Sequence, residues 1–131
     1  MRLAKASAAV GAHGLLVVTP YYSRPSQEGV VRHVTAVADA TPLPVMLYDV
    51  PGRTGVRFSQ PALDTLAAHE GVVAMKDATG DLYAAATAAA RTGLAWYSGD
   101  DSLYLPFLAH GAASVSSAGC ENRTPVRPGT S

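Results

Sequence analysis

The sequence predicts an α/β fold built around a parallel sheet, and two observations carry this prediction. Short apolar runs with many β-branched residues recur along the chain, and helix-like segments separate most of them. The five runs are residues 14–18, 44–48, 72–75, 94–97 and 112–115. Short continuous apolar runs are typical of strands buried on both faces, and their alternation with helices is typical of βα units.

Helix signals lie between the first three runs. Ser26 is a candidate N-cap for a helix that runs to about Ala40. Ser59, followed by Pro61, marks the start of a second helix. Valines and leucines in both segments recur at spacings of three and four, which is typical of a helix with one apolar stripe. Each segment therefore predicts a helix that packs on the sheet.

Two further helices and a tail complete the predicted organisation. The alanine-rich segment 82–91 predicts a third helix because alanine has the highest helix propensity. Residues 102–110 predict a short fourth helix despite Pro106. Residues 119–131 contain Arg, Thr, Pro and Gly without apolar periodicity, so we expect a disordered or foreign tail. The chain is thus divided into one domain, 1–118, and the tail.

The composition excludes several classes of function. The 131 residues are 48% hydrophobic and 15% charged, as in an ordinary globular domain. The formal net charge is zero, so the chain lacks the positive field with which proteins bind nucleic acid. Cys120 is the single cysteine, so neither an intrachain disulfide nor a thiolate metal cluster is expected. His13, His33, His69 and His110 show no metal-ligand spacing, and we predict no metal site.

The location predicted for the protein is the cytoplasm. The start of the chain, residues 1–5, superficially resembles a signal peptide, but Gly11, His13 and Gly14 interrupt the apolar stretch that follows. No apolar run approaches the roughly 20 residues needed to cross a bilayer. We therefore expect neither secretion nor membrane insertion.

Candidate catalytic residues follow the predicted strands. In parallel α/β folds the reactive groups lie just beyond the carboxyl ends of strands. Lys76 directly follows an apolar run, so its stem begins inside the sheet, where desolvation would lower its pKa and favour nucleophilic attack on a carbonyl. The structural alternative is a lysine that extends to solvent or pairs with Asp77.

Tyr48 and Arg53 are two further candidates. Tyr48 ends the strand before that of Lys76, so its phenol could relay protons beside the amine. The alternative is a half-buried aromatic residue at a strand end. Arg53 lies in a Pro-Gly turn, and its planar guanidinium suits bidentate binding of a carboxylate, although an arginine in a loop is often merely solvated.

A series of motifs resembles one known family. The matching segments are Val18-Thr19-Pro20-Tyr21-Tyr22, Arg24-Pro25-Ser26-Gln27, Tyr48-Asp49-Val50-Pro51-Gly52-Arg53-Thr54, Lys76-Asp77-Ala78 and Ser98-Gly99-Asp100-Asp101. In order and spacing, from about residue 3 to residue 118, they are similar to the dihydrodipicolinate synthase family. The resemblance implies about five of the eight βα units of a (β/α)8 TIM barrel. It supplies the later strands and leaves the family's threonine-containing early segment without a counterpart, so we expect a truncated form.

The resemblance also implies a reaction and its residues. The family condenses pyruvate with L-aspartate 4-semialdehyde to 4-hydroxy-tetrahydrodipicolinate in the diaminopimelate route to lysine, without a metal or organic cofactor. Lys76 would form the Schiff base with pyruvate, and Tyr48 would move protons beside it. Arg53 would bind the carboxylate of the aldehyde, and Gly99 would line the site. Tyr22 would reach across a tight dimer interface into the neighbouring subunit's site, its alternative being interface packing.

Partners and alternatives follow from the same resemblance. The expected partners are pyruvate, aspartate semialdehyde and further copies of the chain, as a tight dimer or, in the parent family, a tetramer. One alternative is a sister class I aldolase such as N-acetylneuraminate lyase or a keto-deoxy-sugar-acid aldolase, which would share Tyr48 and Lys76. Arg53 argues against it, because sugar-accepting aldolases generally lack this arginine. The other alternative is a noncatalytic fragment or interaction module.

Overall fold

The computed structural model describes residues 1–112 and the short strand at 114–115. The helices are α1 (Arg2–Ala9), α2 (Gln27–Ala38), α3 (Pro51–Thr54), α4 (Gln60–Ala67), α5 (Leu82–Thr92) and α6 (Tyr104–Ala109), with a 3₁₀ turn at Asp101–Leu103. The strands are β1 (Leu15–Val18), β2 (Val45–Asp49), β3 (Val72–Asp77), β4 (Ala95–Ser98) and β5 (Ser114–Val115). The predicted tail, 119–131, lies outside the described residues.

Side-chain caps fix where the main helices begin. The Ser26 hydroxyl accepts a hydrogen bond from the Gly29 N–H at 3.2 Å, which places the start of α2 where the sequence predicts it. Ser59 caps α4 and Asp81 caps α5 in the same way. These caps stabilise the helix starts because they satisfy backbone donors that have no partner within the helix.

The five strands form one parallel sheet in the order of the sequence, β1-β2-β3-β4-β5. The predicted parallel sheet is confirmed. The pairing of β2 with β3 contains one irregularity, because Val45 faces Val72 whereas Met46 faces Ala74. Val73 is therefore an extra residue in β3, as in a β-bulge.

The helices cover one face of this sheet and bury it. Alternate strand residues point into the helix layer, among them Leu47, Met75 and Trp96. They pack against the apolar stripes of α2, α4 and α5, which include Val34 and Leu66, both fully buried. Burying an aliphatic side chain of this size contributes about 2 kcal/mol, so this layer holds the helices on the sheet.

The opposite face of the sheet has no helix on it in the described residues. Its side chains alternate with those of the core, and at the amino ends of the strands they border a depression of about 430 Å³ between Met46 and Tyr97. Leu16 on this face is 52% exposed. In a (β/α)8 barrel this face would be the inner one.

Three elements differ from the sequence-based expectations. Residues Arg2–Ala9 form a helix that the sequence analysis did not predict. Arg53 lies in the short helix α3, where a turn was expected, because Pro51 is favourable at the first helical position. The predicted helix 102–110 is split, with a 3₁₀ turn before α6. No described helix combines the length and apolar character needed to cross a membrane.

Candidate active site

The centre of the candidate site is the pair Lys76 and Tyr48. The two residues are direct partners in the β2–β3 pairing, and both are half-buried on the face that carries no helices. The Lys76 Nζ lies 4.8 Å from the centroid of the Tyr48 ring. This distance is within the range of a cation–π interaction, in which the face of the ring stabilises the protonated amine.

Gly99 leaves room for the stem of Lys76. A Cβ atom at this position would lie 3.3 Å from Lys76 Cε and 3.0 Å from Ala78 Cβ. The Gly99 N–H donates a hydrogen bond of 2.7 Å to the Asp77 carbonyl, which fixes the backbone there. A side chain at 99 would crowd Ala78, the Asp77 carbonyl and the stem of Lys76, so Gly99 shapes the backbone and the space beside the lysine.

Arg53 lies on α3, which begins two residues after β2 ends, and its side chain is exposed. The segment around it is ordered by the buried Thr54, whose hydroxyl contacts the carbonyls of Val50 at 3.2 Å and Val56 at 2.9 Å. Thr19, at the end of β1, also donates to the Val56 carbonyl, at 3.3 Å. The arginine therefore projects to solvent from a fixed base.

Tyr22 lies in the turn after β1 and is 96% exposed. The structure thus brings together Lys76, Tyr48 and Gly99, and it leaves two candidates exposed, Arg53 on α3 after β2 and Tyr22 in the turn after β1. An exposed tyrosine of this kind is available to a second molecule. Within one chain, Tyr22 does not line the site around Lys76.

Two further polar residues considered in the sequence, Asp100 and His69, make local contacts that hold the backbone near them. Asp100 caps the 3₁₀ turn, and the two hydrogen bonds from Ser102 lower the pKa of its carboxyl. His69 contacts Asp39 at 3.0 Å and accepts from the Gly71 N–H. Within the described part of the chain, no three His, Cys, Asp or Glu residues are grouped so that they could hold a metal ion.

Two buried carboxylates lie behind the site, and neither was predicted from the sequence as a site residue. Asp49 follows Tyr48 and Asp77 follows Lys76, so both point to the helix-covered face, where they are 2% and 3% exposed. The pKa of Asp49 is raised to about 7, mainly by burial and to a lesser extent by the Asp77 carboxylate, against the lowering effects of the Phe58 N–H and Arg57. The signal in the sequence is an acidic residue at the end of each of two neighbouring strands.

The arrangement can support carbonyl chemistry. An amine that is half-buried beside an aromatic ring is poised to attack a carbonyl once it is deprotonated. A phenol next to it can move protons to and from the adduct. Asp77 does not compete for the amine, because its carboxylate lies on the other face and accepts hydrogen bonds from Thr79 and Trp96.

Known proteins are similar to this chain in sequence and in fold. The model of the dihydrodipicolinate synthetase family matches residues 1–127. A 4-hydroxy-tetrahydrodipicolinate synthase of Mycolicibacterium paratuberculosis is 59% identical over 89% of this chain and 39% of its own length. The chain thus spans about two fifths of that relative.

Two solved structures extend the comparison. A dihydrodipicolinate synthase of Bacillus anthracis superposes with a TM-score of 0.85 at 46% identity, over 89% of this chain and 41% of that one. The chloride-inhibited enzyme of Acinetobacter baumannii, in complex with pyruvate, gives a TM-score of 0.83 at 42% identity, over 88% and 40%. The predicted fold class, part of a (β/α)8 barrel, is confirmed. The chain belongs to the dihydrodipicolinate synthetase family.

Proposed function

We propose that this chain carries the Schiff-base site of a lyase that condenses pyruvate with L-aspartate 4-semialdehyde. The product is 4-hydroxy-tetrahydrodipicolinate, an intermediate of the diaminopimelate route to lysine. The observation that carries the proposal is the pairing of Lys76 with Tyr48 across β2 and β3, with 4.8 Å between the amine and the ring centroid. The name of the Mycolicibacterium paratuberculosis relative supports the assignment of the product.

Lys76 would act as the nucleophile. Its free amine adds to the ketone carbon of pyruvate, and loss of water from the adduct leaves the imine. Tyr48 would supply and remove the protons that these steps require, since it is the cross-strand partner of Lys76 and its phenol can exchange protons with a substrate bound there. The pyruvate complex of the Acinetobacter baumannii enzyme supports pyruvate as the first substrate. By the family resemblance, neither step needs a metal or organic cofactor.

Arg53 and Tyr22 would contribute from the segments that follow β2 and β1. The exposed guanidinium of Arg53 suits the carboxylate of the incoming aldehyde, since its planar fork can make two parallel hydrogen bonds. Tyr22, which is 96% exposed, would complete the proton relay of a second subunit in a homo-oligomer. The role of Arg53 therefore depends on a second substrate, and the role of Tyr22 depends on a second subunit.

Borohydride trapping tests the proposal. Incubation with pyruvate and borohydride should attach the reduced pyruvate to Lys76, and mass spectrometry of peptides locates it. Lys5, the only other lysine, is exposed on α1 and serves as an internal control for nonspecific reaction. The Lys76→Ala variant should lose the label. Equal labelling of Lys5 and Lys76, or a label that persists in the variant, would exclude Lys76 as the nucleophile.

Turnover should be far weaker than trapping. Condensation also requires an oriented enamine and an aldehyde at near-attack distance, and proximity of this kind is worth about 7 to 11 kcal/mol. The threonine-containing segment that orients pyruvate in the family has no counterpart in these residues. We therefore expect weak labelling of Lys76 and negligible turnover by the 131-residue chain. Robust turnover would show that the missing segment is dispensable.

A further inference from the structure

Two carboxylates stand directly behind the two residues of the candidate site. Asp49 and Asp77 are cross-strand partners, as are Tyr48 and Lys76 one position earlier. Side chains alternate between the faces of a sheet, so each carboxylate is on the reverse side of the strand end that carries a site residue. Neighbouring strands are about 4.8 Å apart, which makes the two carboxyl groups close neighbours.

These carboxylates hold the strand ends to their surroundings. Asp77 Oδ2 accepts from the Trp96 indole at 3.2 Å and so joins β3 to β4, while its Oδ1 accepts two bonds of 2.8 Å from Thr79. Asp49 Oδ2 accepts from the Phe58 N–H at 3.3 Å. This bond closes the segment 49–58, which includes Arg53, back onto the end of β2.

The surroundings of Asp49 favour its neutral form. It borders a cavity of about 210 Å³ between the sheet and helices α4 and α5. The charged groups that line this cavity with it are Asp77 from β3 and Arg57, which precedes α4. The other lining residues are uncharged, and most of them are apolar. Two ionised carboxylates side by side in such a cavity repel each other and lose hydration.

The two carboxylates differ in their hydrogen bonds. Asp77 accepts three, from the Thr79 N–H, the Thr79 hydroxyl and the Trp96 indole. Asp49 accepts one, and its Oδ1 has no hydrogen-bond partner among the described residues. With so little compensation from donors, burial raises the pKa of Asp49 to about 7.

We infer that Asp49 is a pH-sensitive positioning residue for the Tyr48–Lys76 pair. As the neutral acid it lets the ends of β2 and β3 lie side by side, and its ionisation beside Asp77 drives these ends apart. Arg57 offers limited compensation, because its guanidinium already contacts Asp81 at 3.6 Å and Thr79 at 3.5 Å. The inference rests on the proposed function, since it concerns the geometry that imine formation needs.

The chain provides its own reporters for this inference. Trp96 is the single tryptophan, and its indole donates to Asp77 inside the same cavity, so its fluorescence reports on the carboxylate pair. Lys76 and Lys5 are the only lysines, so the ratio of their reactivities isolates changes at the site. Neither reporter requires turnover by the chain.

The test compares the wild-type chain with Asp49→Asn, in which the amide oxygen can still accept from Phe58 but cannot ionise. Pyruvate and cyanoborohydride label Lys76 at a series of pH values, and the wild-type label is divided by that of the variant. The expected ratio is near one at about pH 5.5 and near one tenth at about pH 8, because about a tenth of a group remains protonated one unit above its pKa. Asp64→Asn, which changes an exposed carboxylate paired with Arg91, should behave as wild type.

Two measurements without pyruvate separate this inference from the proposed function. Trp96 fluorescence, and acylation of Lys76 relative to Lys5, should each show a step near pH 7 in the wild type and none in Asp49→Asn. In Asp77→Asn the step should move to lower pH, because a neighbouring negative charge has been removed. Steps without any pyruvate label would leave the positioning role standing and refute the lyase assignment. The inference would be overturned by a labelling ratio that does not change with pH. It would equally be overturned if neither Trp96 fluorescence nor the acylation of Lys76 relative to Lys5 showed a step.

Discussion

Asp49→Asn should change how the stability of the fold depends on pH. The pKa of Asp49 is raised from its usual value near 3.8 to about 7, mainly by burial. Between these values the folded chain holds a proton that the unfolded chain has lost, so the free energy of unfolding falls as pH rises. At 1.36 kcal/mol per pH unit the total penalty is about 4 kcal/mol, complete above about pH 7. Asparagine at this position removes the penalty.

Urea unfolding followed by far-UV circular dichroism measures this effect. From about pH 5 to pH 7 the wild type should lose about 2 to 3 kcal/mol relative to Asp49→Asn. His33, whose pKa is lowered by burial, contributes stability that increases with pH, and Asp100 contributes stability that is lost in acid. Both act equally in the two proteins and cancel in the difference. Parallel stability curves for the two proteins would refute the reasoning about Asp49.

Two substitutions test the core and the site. Leu66→Ala removes a fully buried side chain and should lower the free energy of unfolding by about 3 kcal/mol, whereas Leu105→Ala, at a residue 73% exposed, should change it by less than about 0.5 kcal/mol. Equal effects of the two on urea unfolding would contradict the assigned core. Gly99→Ala should reduce borohydride labelling of Lys76 several-fold, because its Cβ would lie 3.0 Å from Ala78 Cβ, 3.2 Å from the Asp77 carbonyl oxygen and 3.3 Å from the lysine stem, which displaces the end of β3. Gly52→Ala has open space at its Cβ and should label normally, so an equal loss in both variants would argue against crowding at residue 99.

The sequence was sufficient to predict most of the architecture. Ser26 and Ser59 stand before periodic apolar segments, and a capping hydroxyl has the same local effect whatever the rest of the fold. The strand runs were recognisable because buried parallel strands are apolar on both faces. The helix at Arg2–Ala9 escaped prediction because it has no side-chain cap at its start and buries only Ala4.

The candidate site was predictable only in part. The placement of Tyr48 beside Lys76 follows from consecutive parallel strands and was anticipated. The carboxylates of Asp49 and Asp77 were not, since their burial depends on the helices packed over them. The contact of Gly99 with the lysine stem likewise needs three-dimensional register, because residues 76 and 99 meet through the β3–β4 pairing. The roles of Arg53 and Tyr22 stay predictions.

The bulge at Val73 decides on which side of the sheet the reactive amine lies. Side chains in a strand alternate between the two faces, so a shift of one residue in the pairing register moves every following side chain to the other face. If β3 paired with β2 without the bulge, so that Val73 faced Met46, Met75 would face Tyr48 and Lys76 would face Asp49 under the helices. A lysine there would meet a buried carboxylate, where it would form an ion pair and could not react with a substrate. A single unpaired residue, three positions before the lysine, thus separates a nucleophile from a buried counter-ion.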